Sequence, residues 1–175
     1  MEAKCDHNYV GMIAFDDYSR ILLVNRPPFG LAPPSGHLDG DSYGIACCKI
    51  FQEQSGLRVR YATAPEALFI PPKYICQNWK CSREGEYHFW HLYKVRWEGM
   101  LSRTSNWYSR EQVKIFLRVT QRLLEAQKAE EPSWRTAIKE ATLKIWGNDS
   151  HIDSAWYNLF QHVPELARFL EGKTA

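Results

Sequence analysis

Residues 33–57, "PPSGHLDGDSYGIACCKIFQEQSGL", hold a dense set of side chains able to do chemistry. His37, Asp39 and Asp41 lie in a Gly-rich run, followed by Cys47, Cys48, Lys49, Glu53 and Gln54. Carboxylate and amide oxygens of this kind suit hard divalent cations. A second set, Cys76, Cys81, His88 and His91, has the spacing C-x4-C-x6-H-x2-H and loosely resembles a zinc ligand set. His88 and His91 are three apart on a predicted strand and should point to opposite faces, so zinc is not expected. Neither Cys47 nor Cys48 has a histidine nearby in sequence, and packing inside a helix accounts for both.

These residues must be positioned by the elements around them. "YVGMIAF" (9–15) and "RILLVNR" (20–26) are strand-like runs about the turn-rich "DDYS", which predicts a hairpin. Pro27 and Pro28 end the second run, and "FGLAPPSGHLDGD" (29–41) reads as loop. A helix is predicted over 42–54, with Ser42 at its start and Gly56 just past its end. Ile45, Cys48 and Phe51 or Gln52 follow helical spacing along it. "LRVRYATA" (57–64) and "EALFI" (66–70) read as strands. So does "YHFWHLYKVRW" (87–97), with Tyr87, Phe89, His91, Tyr93, Val95 and Trp97 on one face. The last third is helical: 110–131, 133–146 and about 152–162 are predicted helices, and Pro164 starts another at its first turn.

The totals bound the class. A chain of 175 residues with 45% hydrophobic content suits one domain with a substantial core. A net charge of +2 gives no electrostatic case for nucleic acid. No apolar run approaches the roughly 20 residues that span a bilayer. The first residues lack the apolar centre of a secretory signal, so a cytoplasmic protein is expected. Five cysteines, an odd number, argue against a disulfide framework. Aromatics reach 14%; Trp79 and Trp107 are candidate base-stacking platforms, with core packing the simpler role.

From strand to Gly stop, residues 9–57 resemble the Nudix superfamily, whose box reads G-x5-E-x7-R-E-U-x-E-E-x-G-U with U a bulky apolar residue. "PPSGHLDG" looks like that family's approach to the box, and "NWYSREQV" (106–113) looks like its late W-x-S-x-E-E-L segment. The resemblance covers roughly 9–125. It implies a Nudix-like α/β/α sandwich with a mixed sheet and a helical C-terminal extension. The expected division is 1–130 for the Nudix-like part and 131–175 for the extension packed on the same domain.

In that register Gly56 and Leu57 match the closing pair, and Glu53 matches the first paired glutamate, which makes it the catalytic candidate. Gln54 replaces the second glutamate, Ile50 the main metal-binding one, Lys49 the arginine and Asp41 the leading glutamate. Gly36 stands one residue too near Asp41. Positions i, i+3 and i+4 share a helix face, so the family's glutamates converge on magnesium or manganese beside a diphosphate. Here one charged ligand of three remains. The metal candidates are Glu53 and Gln54, with Glu84 or Glu86 as substitutes. Gly36, His37 and Arg26 are substrate-binding candidates, and Asp41, Lys49 and Gly56 the box scaffold. The implied partner is a nucleotide or other diphosphate derivative, with hydrolysis weak or absent. An atypical active pyrophosphohydrolase and a non-catalytic interaction module whose helical tail contacts a protein partner stay open; the 110–146 helices could also offer a homodimer surface, with intramolecular packing explaining the same apolar stripe.

Overall fold

A computed structural model describes residues 7–27, 29–60, 66–68, 88–129 and 151–173. The described elements are β1 (Asn8–Ile13), β2 (Ile21–Arg26), β3 (Gly30–Ala32), β4 (Ser35–His37), α1 (Tyr43–Ser55), β5 (Leu57–Val59), β6 (Glu66–Leu68), β7 (Phe89–Lys94), β8 (Trp97–Gly99), β9 (Ser105–Tyr108), α2 (Arg110–Ala129), α3 (Ser154–His162) and α4 (Pro164–Glu171). The architecture is mixed α/β with helices at the C-terminal end.

The strands form a four-stranded sheet in the order β4-β1-β7-β6, a three-stranded sheet β3-β2-β9 and a pair β5-β8. β1 runs parallel to β7, with Tyr9 beside Trp90, and antiparallel to β4, with Tyr9 opposite His37. The first two apolar runs do not make an extended hairpin. They meet only at their tips, through the Phe15–Ile21 bridge and the Leu22 N–H to Ala14 C=O bond of 3.0 Å. They then part into different sheets, because each finds longer partners elsewhere.

The Pro-rich segment 29–41 is not all loop. Pro33 and Pro34 separate β3 from β4, and the chain changes sheet across them. Prolines have no N–H to give a ladder, but the Pro34 carbonyl still accepts from Met12 N at 2.9 Å. The predicted strand 87–97 is likewise two strands, β7 and β8.

Both sheet faces are covered, which is why β1 and β2 read as continuous apolar runs. On one side α2, α3 and α4 pack over Tyr9, Ile13, Ile21, Leu23, Trp90 and Leu92 through Val113, Leu117, Trp156, Phe160, Leu166 and Phe169. On the other, α1 packs over Val10, Met12, Leu22 and Val95. Its buried face is Ala46, Cys47, Ile50 and Phe51. Ile45, expected inside, is 58% exposed. Gly11 leaves room for its neighbours, since a Cβ there would stand 2.6 Å from Leu92 Cδ2 on β7 and 2.7 Å from Trp156 Cζ2 on α3.

The C-terminal helices are tied to the sheets by backbone. Leu31 N–H donates to His151 C=O at 2.6 Å and Asp153 N–H to Leu31 C=O at 2.8 Å. Asp153 caps α3 by accepting from Ala155 N at 2.8 Å. Pro164 begins α4, as its fixed φ favours, and Lys94 Nζ on β7 reaches Glu165 Oε1 at 2.9 Å. The predicted helix 133–146 lies outside the described residues. No described helix is long and apolar enough to cross a membrane.

Candidate functional site

The last turns of α1 lie against β4, and this contact sets the surroundings of Ile50, Glu53 and Gln54. Gln54 sits at the sheet side and grips Ser35 with both ends of its amide. Its Oε1 accepts from Ser35 N at 3.0 Å, and its Nε2 donates to Ser35 O at 2.8 Å. Ile50, one turn earlier, is 8% exposed. A Cβ placed on Gly36 would meet its Cδ1 at 3.0 Å. Glu53 is exposed to solvent. Thus Ile50 and Gln54 line the contact with β4, and Glu53 alone of the three carries a carboxylate.

Magnesium needs several oxygen ligands in near-octahedral array. Gln54's oxygen is engaged by a backbone N–H, and Ile50 offers none. Among the described residues no three His, Cys, Asp or Glu side chains converge. The described residues therefore do not fit such an ion. Glu84 and Glu86 lie outside them, as do Cys76, Cys81 and Trp79.

The scaffold residues sit together. Lys49 Nζ is 3.5 Å from Asp41 Oδ2, both in contact with solvent. An exposed pair of this kind contributes about 0–1 kcal/mol. Asp41 N–H also donates to Leu38 C=O at 3.0 Å, closing the turn before the helix. Ser42 stands at the N-cap without a side-chain cap bond. Gly56 ends α1 in the left-handed region at φ 78°, its N–H donating to Gln52 O at 2.9 Å.

Arg26 is built into the fold rather than left at a strand end. It donates to Ser35 Oγ at 2.9 Å and to Tyr9 OH at 3.1 Å. Trp156 Nε1 donates to the same Ser35 Oγ at 3.3 Å. Fully buried Ser35 is thus gripped at its backbone by α1 and at its hydroxyl by β2 and α3. Burial works to lower the Arg26 pKa, but the charges of Tyr9 and Asp153 outweigh it, and the net shift is upward. Burial pushes the Asp153 carboxyl up, against Arg26, the backbone N–H groups of Ala155 and Trp156, and His151.

His37 meets His88 with Nε2 atoms 3.0 Å apart. The Tyr9 ring lies 5.0 Å from each imidazole. His91 points to the other side of β7, where its Nε2 is 3.2 Å from Tyr43 OH on α1. Burial lowers its pKa. The two histidines of the zinc-like spacing therefore diverge, as alternation on a strand requires.

Cys47 is buried and its thiol is pushed up to about 12, first by burial and then by Cys48. It is core, not nucleophile. Trp107 stacks on Trp97 at 4.9 Å and takes part in the α1-side core. Ser35, Tyr9, Trp156 and Asp153 were not singled out from sequence. Their partners are distant in the chain, and no local pattern marks them.

No family model and no curated protein matches the chain. Among solved structures it is similar to a NUDIX hydrolase from Nitrosomonas europaea, at 17% identity over 85% of this chain and 93% of that one, TM-score 0.43. It is also similar to an ADP-ribose pyrophosphatase from Streptococcus suis, at 16% identity over 83% and 94%, TM-score 0.43. A MutT protein from Bacillus halodurans is similar at 15% identity over 83% and 84%, TM-score 0.42.

Proposed function

We propose that this is a Nudix-like protein that binds a diphosphate-linked ligand, a nucleoside derivative by preference, and hydrolyses it weakly or not at all. The observation that carries the reading is the Gln54–Ser35 grip. The box helix keeps its place against β4, but a neutral amide spends its oxygen on the fold where the related box has a metal-binding glutamate. The packed Ile50 side chain removes a second oxygen ligand from the same face. The 36–41 turn, with Gly36 and His37 at its head, is the proposed seat of the phosphates, and Arg26 behind it supplies a fixed positive charge.

The test is phosphate release from a panel of nucleoside diphosphate derivatives, with magnesium and then manganese. Wild type is compared with Glu53→Gln, and melting is followed in parallel. Binding without turnover gives a raised melting temperature and no phosphate from either protein. Metal-dependent release that Glu53→Gln abolishes overturns the reading in favour of an active enzyme with a rebuilt metal site. Neither binding nor turnover, together with a stable oligomer, points instead to an interaction module.

A further inference from the structure

Arg26 and Asp153 are opposite charges brought near one another without being joined in an ion pair. The backbone puts them there. Arg26 stands opposite Gly30 on β3, and the next residue, Leu31, bridges to Ile152. Thus β3 has Arg26 along one edge and the 151–153 segment along the other. Gly30 has no side chain, and His151 packs over it; a Cβ there would stand 2.6 Å from His151 O. A second link runs through Ser35. Arg26 and Trp156 both donate to its Oγ, and the Trp156 backbone N–H serves the Asp153 carboxyl. Both charged residues are half-buried, so solvent reaches each. Burial is still the largest influence on the pKa of each, lowering that of Arg26 and raising that of Asp153. Against it, Tyr9 and then Asp153 raise the Arg26 value, and Arg26 lowers that of Asp153. Groups that solvent touches while protein surrounds them line a recess, not an open surface.

Both groups keep bonding capacity in hand. A guanidinium has five N–H donors. Ser35 Oγ and Tyr9 OH take one each, and the rest find no acceptor among the described residues. The Tyr9 hydroxyl accepts from Arg26, and no described group accepts its proton. A carboxylate has about four acceptor positions. At Asp153 the N–H groups of Ala155 and Trp156 occupy only part of them. The recess therefore sets spare donors beside spare acceptors. A hydroxyl answers both, since it donates one proton and accepts on its lone pairs. Two hydroxyls on neighbouring carbons do so twice. A phosphate seated directly between the two residues would suit Arg26 but face the Asp153 carboxyl. A base needs a ring face to stack on, and Tyr9 and Trp156, the rings that touch this pair, are buried.

We propose that the recess between Arg26 and Asp153 binds the vicinal diol of a ribose, with Asp153 accepting from its hydroxyls and Arg26 and Tyr9 donating to them. The site rests on the diphosphate-ligand reading proposed above and adds to it a choice of sugar: ribose over 2′-deoxyribose. Its placement agrees with that reading. Arg26 holds Ser35, the residue before Gly36, where the proposed phosphate turn begins. In a nucleoside diphosphate the sugar is the group next to the phosphates. A ligand without the 2′-hydroxyl leaves acceptor positions of Asp153 unanswered inside the recess, and a site built to bond a hydroxyl rejects the analogue that lacks it.

The experiment is calorimetric titration of the full chain, without divalent metal, with the diphosphates of adenosine, guanosine, cytidine and uridine and with their 2′-deoxy counterparts. For the base that binds best, the ribose form should bind at least about tenfold more tightly, as expected for one hydrogen bond to a charged group. Asp153→Asn keeps an oxygen for the Ala155 N–H, so the α3 cap is preserved. It should bring the two forms to within about twofold by weakening the ribose form alone. Carbon NMR of wild type needs no variant: the Asp153 carboxyl resonance should move with the ribose form and stay in place with the deoxy form. Binding with equal affinity for both sugars, a ribose preference that survives Asp153→Asn, or an unmoved carboxyl resonance would each overturn the diol site and leave the diphosphate reading standing. Binding of no nucleotide in the panel would overturn that reading, and the diol site with it.

Discussion

Gln54 and Ser35 exchange two hydrogen bonds, amide to backbone, across the contact between α1 and β4. The bonds close because Ser35 is fully buried and begins β4, where its N–H and C=O toward the helix have no strand partner in the sheet. A glutamine satisfies both groups at once, which a glutamate cannot do. Gln54, rather than a glutamate at this position, is therefore what seals this seam.

Gln54→Glu should destabilise the fold by about 1–3 kcal/mol, because the Ser35 carbonyl loses its donor and faces a carboxylate. Gln54→Ala should cost a similar amount by leaving both Ser35 groups unpaired. Urea unfolding of the three proteins reads this directly. Equal midpoints for wild type and both variants would mean the grip contributes nothing.

A carboxylate pair tests the proposed box register directly. Ile50→Glu combined with Gln54→Glu places glutamates at i and i+4 around Glu53 at i+3, on one stretch of helix. Without metal the variant should melt well below wild type, since buried carboxylates repel. Millimolar magnesium should raise its melting temperature and leave wild type unmoved. If magnesium moves neither protein, the box register assigned to α1 is wrong.

The stop of α1 is a backbone requirement. Gly56 has φ 78°, and a Cβ there would stand 2.8 Å from Met100 O and Ser102 N. Gly56→Ala combines left-handed strain with a clash against backbone and should cost at least about 1–3 kcal/mol. Thermal unfolding measures it. A variant as stable as wild type would show that the 100–102 turn yields freely.

What the sequence made legible was local. The helix, its glycine stop and the Lys49–Asp41 pairing depend on residues at most eight apart, so spacing carried them. The proline start of α4 was legible for the same reason. The division of 29–41 into β3 and β4 was hidden, since Gly and Pro there mark a change of sheet rather than a loop. The buried face of α1 was misread by one residue, because Ile45 and Cys48 are as apolar as Ala46 and Cys47. Ser35 was invisible as a hub. Its partners Gln54, Arg26 and Trp156 come from three different elements, and only the closed fold brings them together.

Cys47 should be inert in the native protein. Its thiol lies in the core and is pushed up to about 12, so almost no thiolate exists at pH 8. Alkylation followed by peptide mapping should leave Cys47 unmodified until denaturant is added. Rapid native labelling of that peptide at Cys47 would show that the α1 packing opens.

Asp153 gives the fold a pH dependence of definite sign. Burial raises its folded pKa above the ordinary 3.8, so between the two values the folded state holds more protons than the unfolded state. Stability contributed by this group is therefore greatest at low pH and falls as pH rises from 3.8 through the folded value. Asp153→Asn keeps an oxygen to accept from Ala155 N, so the α3 cap survives, but it removes the titration. The difference between wild-type and variant unfolding free energies, measured from pH 3 to 8, should drift against wild type across that window and then level off. A difference that is flat with pH, or that drifts in favour of wild type, would mean that Arg26 and the backbone donors outweigh burial, and that the carboxylate is the form the fold prefers.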